Sequence, residues 1–144
     1  MEAAENVPPI EAFLVPKLMR LKAILESDGI TSDVVSGEKL YLWADCGNYD
    51  VQITYLAEDD TYSRVYLMFS AFTELESSET EKLTICKDLN RQSLFATAFP
   101  APEGIAMRYT LAEAGGPVER ELFVETLSEF RAEVEVIIAR LSER

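Results

Sequence analysis

The hydrophobic residues of this chain keep two different periods and switch between them repeatedly along its length. Leu14, Leu18, Leu21, Ile24 and Leu25 form the one-sided stripe of a helix that stops at Ser27-Asp28-Gly29. Tyr49, Val51, Ile53 and Tyr55 alternate with Asp50, Gln52 and Thr54, the two-residue period of a strand with one dry and one wet face. Near the C-terminus, Phe123, Leu127, Phe130, Val134, Ile137 and Leu141 return to steps of four and three, with Leu122 and Ile138 widening the stripe. Helical stripes and sheet faces in one short chain must bury each other, which is the α+β class.

Three strands are expected in the first half, at Lys39 to Ala44, Tyr49 to Leu56 and Arg64 to Phe72, with Glu58, Asp59 and Asp60 turning the chain between the last two. The third is apolar on both sides. Val65, Leu67, Phe69 and Ala71 point one way and Tyr66, Met68 and Phe72 the other, so its second face also calls for a cover, a helix or another subunit. Ser78 followed at the third position by Glu81 is a capping box, opening a second helix that runs to about Arg91. Leu94, Thr97 and Phe99 are then placed in a strand, Ala101-Pro102-Glu103-Gly104 turns, and Ile105, Met107, Tyr109 and Leu111 alternate along the return strand. Gly115-Gly116-Pro117 ends this hairpin and sets proline near the first position of the last helix. Pro16 fits either the first turn of the first helix or a kink in one that begins nearer Ile10. The expected order is helix, three strands, helix, two strands, helix: an antiparallel sheet with helices packed on one face, in a single domain spanning residues 1–144 with a loose start over residues 1–9.

Composition narrows the functions. Thirteen basic against 26 acidic residues give a net charge of −13, a field that repels phosphate backbones and anionic lipid, so neither nucleic acid nor membrane is an expected partner. No apolar run approaches a membrane span, and MEAAENVPPIEAF carries acids where a secretory signal carries lysines, which points to the cytoplasm. Histidine is absent, which removes the usual general base, the imidazole metal ligand and the familiar nucleophile triads. Cys46 and Cys86 lack the C-x-x-C spacing of a metal or redox pair and read as packed thiols. Phosphate-cradling glycine loops and calcium loops are missing too. Asp45 with Asp50, or Asp59 with Asp60, lie at turns, without the unequal buried environments that set an acid and a base apart. No catalytic residue, metal site or cofactor is expected.

The stretch LNRQSLFATAFPAPEGIAMRYTLAEAGGPVERELFVETLSEF, residues 89–130, resembles the YbjN family, described as candidate bacterial sensory transduction regulators with the fold of type III secretion chaperones. Asn90, the Glu103-Gly104 turn, Gly115-Gly116 and Phe130 carry the likeness, which is most specific from Lys82 to Phe130. Leu89 and Arg91 flank a single asparagine where the family often has a second one and an aromatic. The resemblance implies no established reaction. It implies a regulatory or adaptor protein working through protein contacts, with a type III secretion chaperone holding an effector segment as the alternative and an enzyme using a carboxylate or thiol as a weaker third. A homodimer is expected, and a peptide-like or partly unfolded segment as a ligand. Tyr66, Met68, Phe72, Phe123 and Phe130 are the candidate protein-interaction residues.

Overall fold

A computed structural model of the chain describes residues 9–57, 65–92, 95–113 and 116–143. Helix α1 (Pro9–Ser27) leads into strands β1 (Ser32–Val35), β2 (Tyr41–Asp45), β3 (Asp50–Ala57) and β4 (Val65–Glu74). Helix α2 (Glu79–Gln92), the hairpin β5 (Thr97–Ala101) and β6 (Gly104–Glu113), and helix α3 (Arg120–Ser142) complete the order. The strands form one sheet, β1-β2-β3-β4-β6-β5, antiparallel at every pairing. The first half therefore holds four strands rather than three. Strand β1 has only four residues, and the core-facing Ser32 is polar, so no alternation marks it in the sequence. The expected acidic turn at 58–60, Leu94, Gly115 and residues 1–8 of the expected loose start lie outside the described residues, and Pro9, the last residue of that start, already belongs to α1.

Each helix end has a local cause. Pro16 lies inside α1, on an exposed side, because the helix begins at Pro9. At its other end Gly29 takes a φ of +80°, and the Gly29 and Ile30 amides donate to the Glu26 and Leu25 carbonyls at 3.0 and 2.9 Å. That is a Schellman cap, closed by apolar Ile30 turning back onto the core beside Leu25. The Glu81 amide donates to Ser78 Oγ at 3.1 Å, so the capping serine does open α2. Helix α3 starts at Arg120, three residues beyond Pro117, with Glu119 at its N-cap and no side-chain cap bond. Pro117 thus lies within the preceding loop rather than in the first helical turn.

One face of the sheet carries the core. Val51, Ile53, Leu67, Phe69, Ile105 and Met107 all point to it and are fully buried. Helix α3 lays its expected stripe there: the Phe69 ring sits 5.9 Å from Phe123 and 6.0 Å from Phe130, centroid to centroid. Burying a side chain of this size contributes about 1.5–3 kcal/mol relative to leaving it in water. Leu122 does not join the stripe and stays 45% exposed. Phe123 and Phe130 are at 0% exposure, which corrects their assignment to an interaction surface: the stripe is spent on the chain's own sheet.

The β5 edge is closed by side chains. Asn90, still within α2, donates from Nδ2 to the Ala98 carbonyl at 2.8 Å and accepts the Ala98 amide on Oδ1 at 2.7 Å. Its carboxamide stands in for the next strand of the ladder. Glu133 of α3 accepts the Phe95 and Ala96 amides, and Pro100 has no N–H to leave unpaired on an edge. This fixes the phase of β5: Ala98 faces the core, while Thr97 and Phe99 face away from it. Gly104 answers a packing demand, since a Cβ there would strike the Thr73 carbonyl and the Glu74 backbone of β4.

Candidate protein-binding face

The pleat that sends Ile53, Leu67 and Met107 inward sends their neighbours to the opposite side of the sheet. Register assembles that side into rows. One crosses all six strands as Asp33, Trp43, Gln52, Ser70, Arg108 and Thr97. Beside it run Thr54, Met68 and Thr110, then Leu56, Tyr66 and Ala112, while Phe72, Ala106 and Phe99 form a row on the other flank. The three described helices pack on the core side. A concavity of about 1150 Å³ runs along this side, with Gln52, Thr54, Met68, Ser70, Phe72, Phe99 and Arg108 among its lining and Glu38, Asp50 and Glu74 around it, and it reaches round to Leu14 of α1 and Ile138 of α3.

Tyr66, Met68 and Phe72 are brought together here on β4, the first two half-buried and Phe72 43% exposed. Tyr41, Trp43, Leu56, Phe99 and Arg108 join them; of these only Trp43 was expected beside Tyr66 and Phe72, as one of the aromatics clustered in the first half of the sheet. Leu56 is 43% exposed, and the Arg108 guanidinium lies 4.6 Å above the Phe99 ring. Of the aromatics that crowd the first half of the chain, Trp43, Tyr66 and Phe72 take this face, Tyr55 and Phe69 enter the core, and Tyr62 lies outside the described residues. The missing signal was register. Phe99 reaches the face only because Asn90 sets the phase of β5, and no spacing in the sequence encodes that.

Ionisable groups elsewhere are committed to structure. The Glu113 carboxylate accepts from Lys17 Nζ at 2.8 Å, from the Tyr55 hydroxyl at 3.0 Å and from the Val118 amide at 2.9 Å, tying α1, β3 and the approach to α3 together. Burial pushes the Tyr55 phenol far up, with the Glu113 charge adding to the effect. Lys82 is buried at the β5–β6 turn, where Nζ donates to the Ala101 and Pro102 carbonyls at 2.6 and 3.2 Å and pairs with Glu79 at 2.8 Å. Burial pushes the Cys46 thiol up against the pull of Arg131, and pushes Cys86 up against the pull of Lys82. Both are thereby poor thiolates at neutral pH. Asp45 and Asp50 face each other across the β2–β3 hairpin, both exposed, and Asp45 Oδ1 accepts the Gly47 amide at 3.0 Å in a turn role. Among the described residues no group of three or more cysteine, aspartate or glutamate side chains is placed to hold a metal ion, and no helix is long and apolar enough to cross a membrane.

No family model matches this sequence, and no curated protein matches it. Among solved structures, the crystal structure of YbjN from E. coli, described as a candidate transcription regulator, is similar over 88% of this chain and 91% of its own, with a TM-score of 0.61 and 16% identity. At that identity the likeness is one of fold: three helices and a six-stranded antiparallel sheet, in the arrangement of YbjN.

Proposed function

We propose that this chain is a non-enzymatic protein-binding module, a YbjN-like regulatory or adaptor protein whose docking surface is the side of its sheet that none of the described helices covers. One observation carries the reading: Tyr66, Met68 and Phe72 stand on the side of β4 opposite the buried Leu67, Phe69 and Ala71, and Met68 and Phe72 line a broad concavity there. Aromatic and methionine side chains on such a surface gain most from contact with another polypeptide. The description of YbjN as a candidate transcription regulator lends the reading a regulatory sense. Binding an extended segment along a sheet edge, as a secretion chaperone alternative would have it, is served less well. The β5 edge is occupied by Asn90, and β1 is four residues long with the Val34 amide taken by the Asp33 carboxylate at 3.0 Å.

A photoreactive amino acid placed at position 68 tests the proposal, with the exposed position 87 on α2 as control. Illumination in cells should give polypeptide adducts from position 68 and none from position 87. Adducts absent at 68, or equal at both, would refute a docking role for this face.

A further inference from the structure

Building on the docking role proposed above, we infer that the partner of this face is an amphipathic helix of another polypeptide, with one apolar stripe and lysine or arginine beside it. The sheet's backbone selects the helix. Every inner strand is paired on both sides, and the edges offer little: Asn90 holds the Ala98 backbone, Glu133 takes the Phe95 and Ala96 amides, and β1 is four residues long. A segment lying over this face must therefore satisfy its own amides and carbonyls, which a helix does and an extended chain without a free edge does not. Dimensions agree. A helix about 10 Å across covers two strand spacings of about 4.8 Å, so one laid along β4 meets Leu56, Tyr66, Met68 and Phe72. From Tyr66 to Phe72 the strand rises about 20 Å, the length of roughly 13 helical residues. The polar midpoint of the face is no obstacle, since Ser70 Oγ already donates to the Gln52 carbonyl at 3.4 Å.

Charge sets the flanks of that helix. On its strands this side of the sheet carries Asp33, Asp45, Asp50 and Glu74 against Arg108, whose guanidinium already lies on the Phe99 ring at 4.6 Å. Glu38 and Lys39, in the β1–β2 connection, offset each other. Asp45 and Asp50 face each other at the β2–β3 hairpin, and Glu74 closes β4 at the same end of the sheet because β4 runs antiparallel to β3. Phe72, 43% exposed, therefore stands between Asp50 on the neighbouring strand and Glu74 on its own. A long cationic side chain can lay its methylenes on that ring and set its charge among these carboxylates. An acidic flank would meet like charge there, and the net charge of −13 repels it at longer range.

Three synthetic peptides of roughly 18 residues are the probes: a leucine stripe at helical period flanked by lysine, the same stripe flanked by glutamate, and the leucine–lysine composition rearranged to strand period. Trp43, the only tryptophan, lies on this face, and its emission follows binding to the intact chain. The lysine helix should bind with an affinity that falls as salt rises, and the other two peptides at least tenfold more weakly. Asp45→Asn, Asp50→Asn and Glu74→Gln combined should weaken the lysine helix by about tenfold, and Phe72→Ala by a similar factor. Glu121→Gln, Glu125→Gln and Glu129→Gln combined make the same charge change at exposed positions of α3, on the other side of the sheet, and should do little. Circular dichroism checks that each variant is folded. If the first triple variant fails to fold, Phe72→Ala and the comparison of lysine with glutamate helices carry the test. Equal weakening by the two triple variants would mean that the peptide senses net charge alone, and would overturn the inference. Equal affinity for lysine and glutamate helices, or for helical and strand periods, would overturn it as well. Adducts from position 68 that join two copies of this chain, or join it to a partner without such a helix, would overturn the inference and leave the docking role standing.

Discussion

Strand β4 contributes to both sides of the sheet, and its two sets of side chains differ less in kind than in company. Phe69 pairs across the sheet with Ile53 and Tyr109, under the Phe123 and Phe130 rings of α3, and is fully buried. Its neighbour Met68 pairs with Thr54 and Thr110 and is half-buried with no described helix above it. Both residues are apolar. What separates a core face from an open one is whether apolar side chains are surrounded by others of their kind, which cross-strand register decides and strand composition does not. The covered side supplies stability, and the other has none of the described helices over it.

Substitution on each side tests this division directly. Phe130→Ala removes a fully buried ring and should cost about 3–5 kcal/mol in urea unfolding. Phe72→Ala, 43% exposed on the open side, should stay within about 0.5 kcal/mol where the chain is monomeric. Comparable losses would mean the open side is a second core and would break the comparison. Glu113→Ala comes next, at about 2–4 kcal/mol, because it strands the Tyr55 hydroxyl and the Val118 amide and leaves Lys17 without its carboxylate. A loss well under 1 kcal/mol would show that water reaches those groups and that the covered side is less closed than its burial suggests.

Much of this was legible in the sequence, for identifiable reasons. Long periodic segments declare themselves, so the α3 stripe from Phe123 to Leu141 and the β3 alternation from Val51 to Tyr55 stand where expected. The signal fails where an element is short or where a distant group sets its phase. Four-residue β1 was missed because Ser32 puts a polar residue on its core face. Thr97 and Phe99 were expected in a strand, but which way they face was decided by Asn90, eight residues back, holding the Ala98 backbone. Asn90 stood out in the sequence only as a residue of the family likeness, and Gly104 as part of a turn. The first is a helical residue gripping a strand edge, and the second a contact too close for a Cβ. The candidate surface was half legible: Tyr66, Met68 and Phe72 followed from β4 alone, whereas Trp43, Phe99 and Arg108 needed the register of four other pairings. Phe123 and Phe130 were misplaced onto it because an amphipathic stripe looks the same whether it meets its own sheet or another chain.

The edge that Asn90 closes offers a smaller and sharper test of the same division. Asn90→Ala removes one donor and one acceptor from the Ala98 backbone and should cost about 1–2 kcal/mol. It should also speed amide exchange at Ala98 far more than at Met107 on the neighbouring strand. Asn90→Asp keeps the acceptor and loses the donor, setting a carboxylate against the Ala98 carbonyl, and should cost at least as much. Equal exchange at both amides would mean that the edge is held by packing of Ile85 and Leu89 and that the carboxamide is incidental.

The smallest effect is silent at neutral pH. Tyr49 lies under α3, where its hydroxyl donates to Glu135 at 2.9 Å and reaches the Arg131 carbonyl at 3.5 Å. Burial, offset in part by Arg131 and reinforced by Glu135, holds its phenol at about 12 rather than the ordinary 10. Below pH 10 the phenol is protonated in both folded and unfolded chains, and this group gives stability no dependence on pH. Between pH 10 and about 12 the unfolded chain ionises first, unfolding releases a proton, and stability must fall as pH rises. Tyr49→Phe should flatten that alkaline slope without abolishing it, because Tyr55 is pushed in the same direction. Unfolding midpoints across this range, read beside a tyrosinate absorbance titration, measure the change. A slope unchanged by the substitution would mean that Tyr49 ionises in the folded protein as readily as in water. The contact between α3 and the β2–β3 hairpin would then be open to solvent, and the covered side of the sheet would end short of this corner.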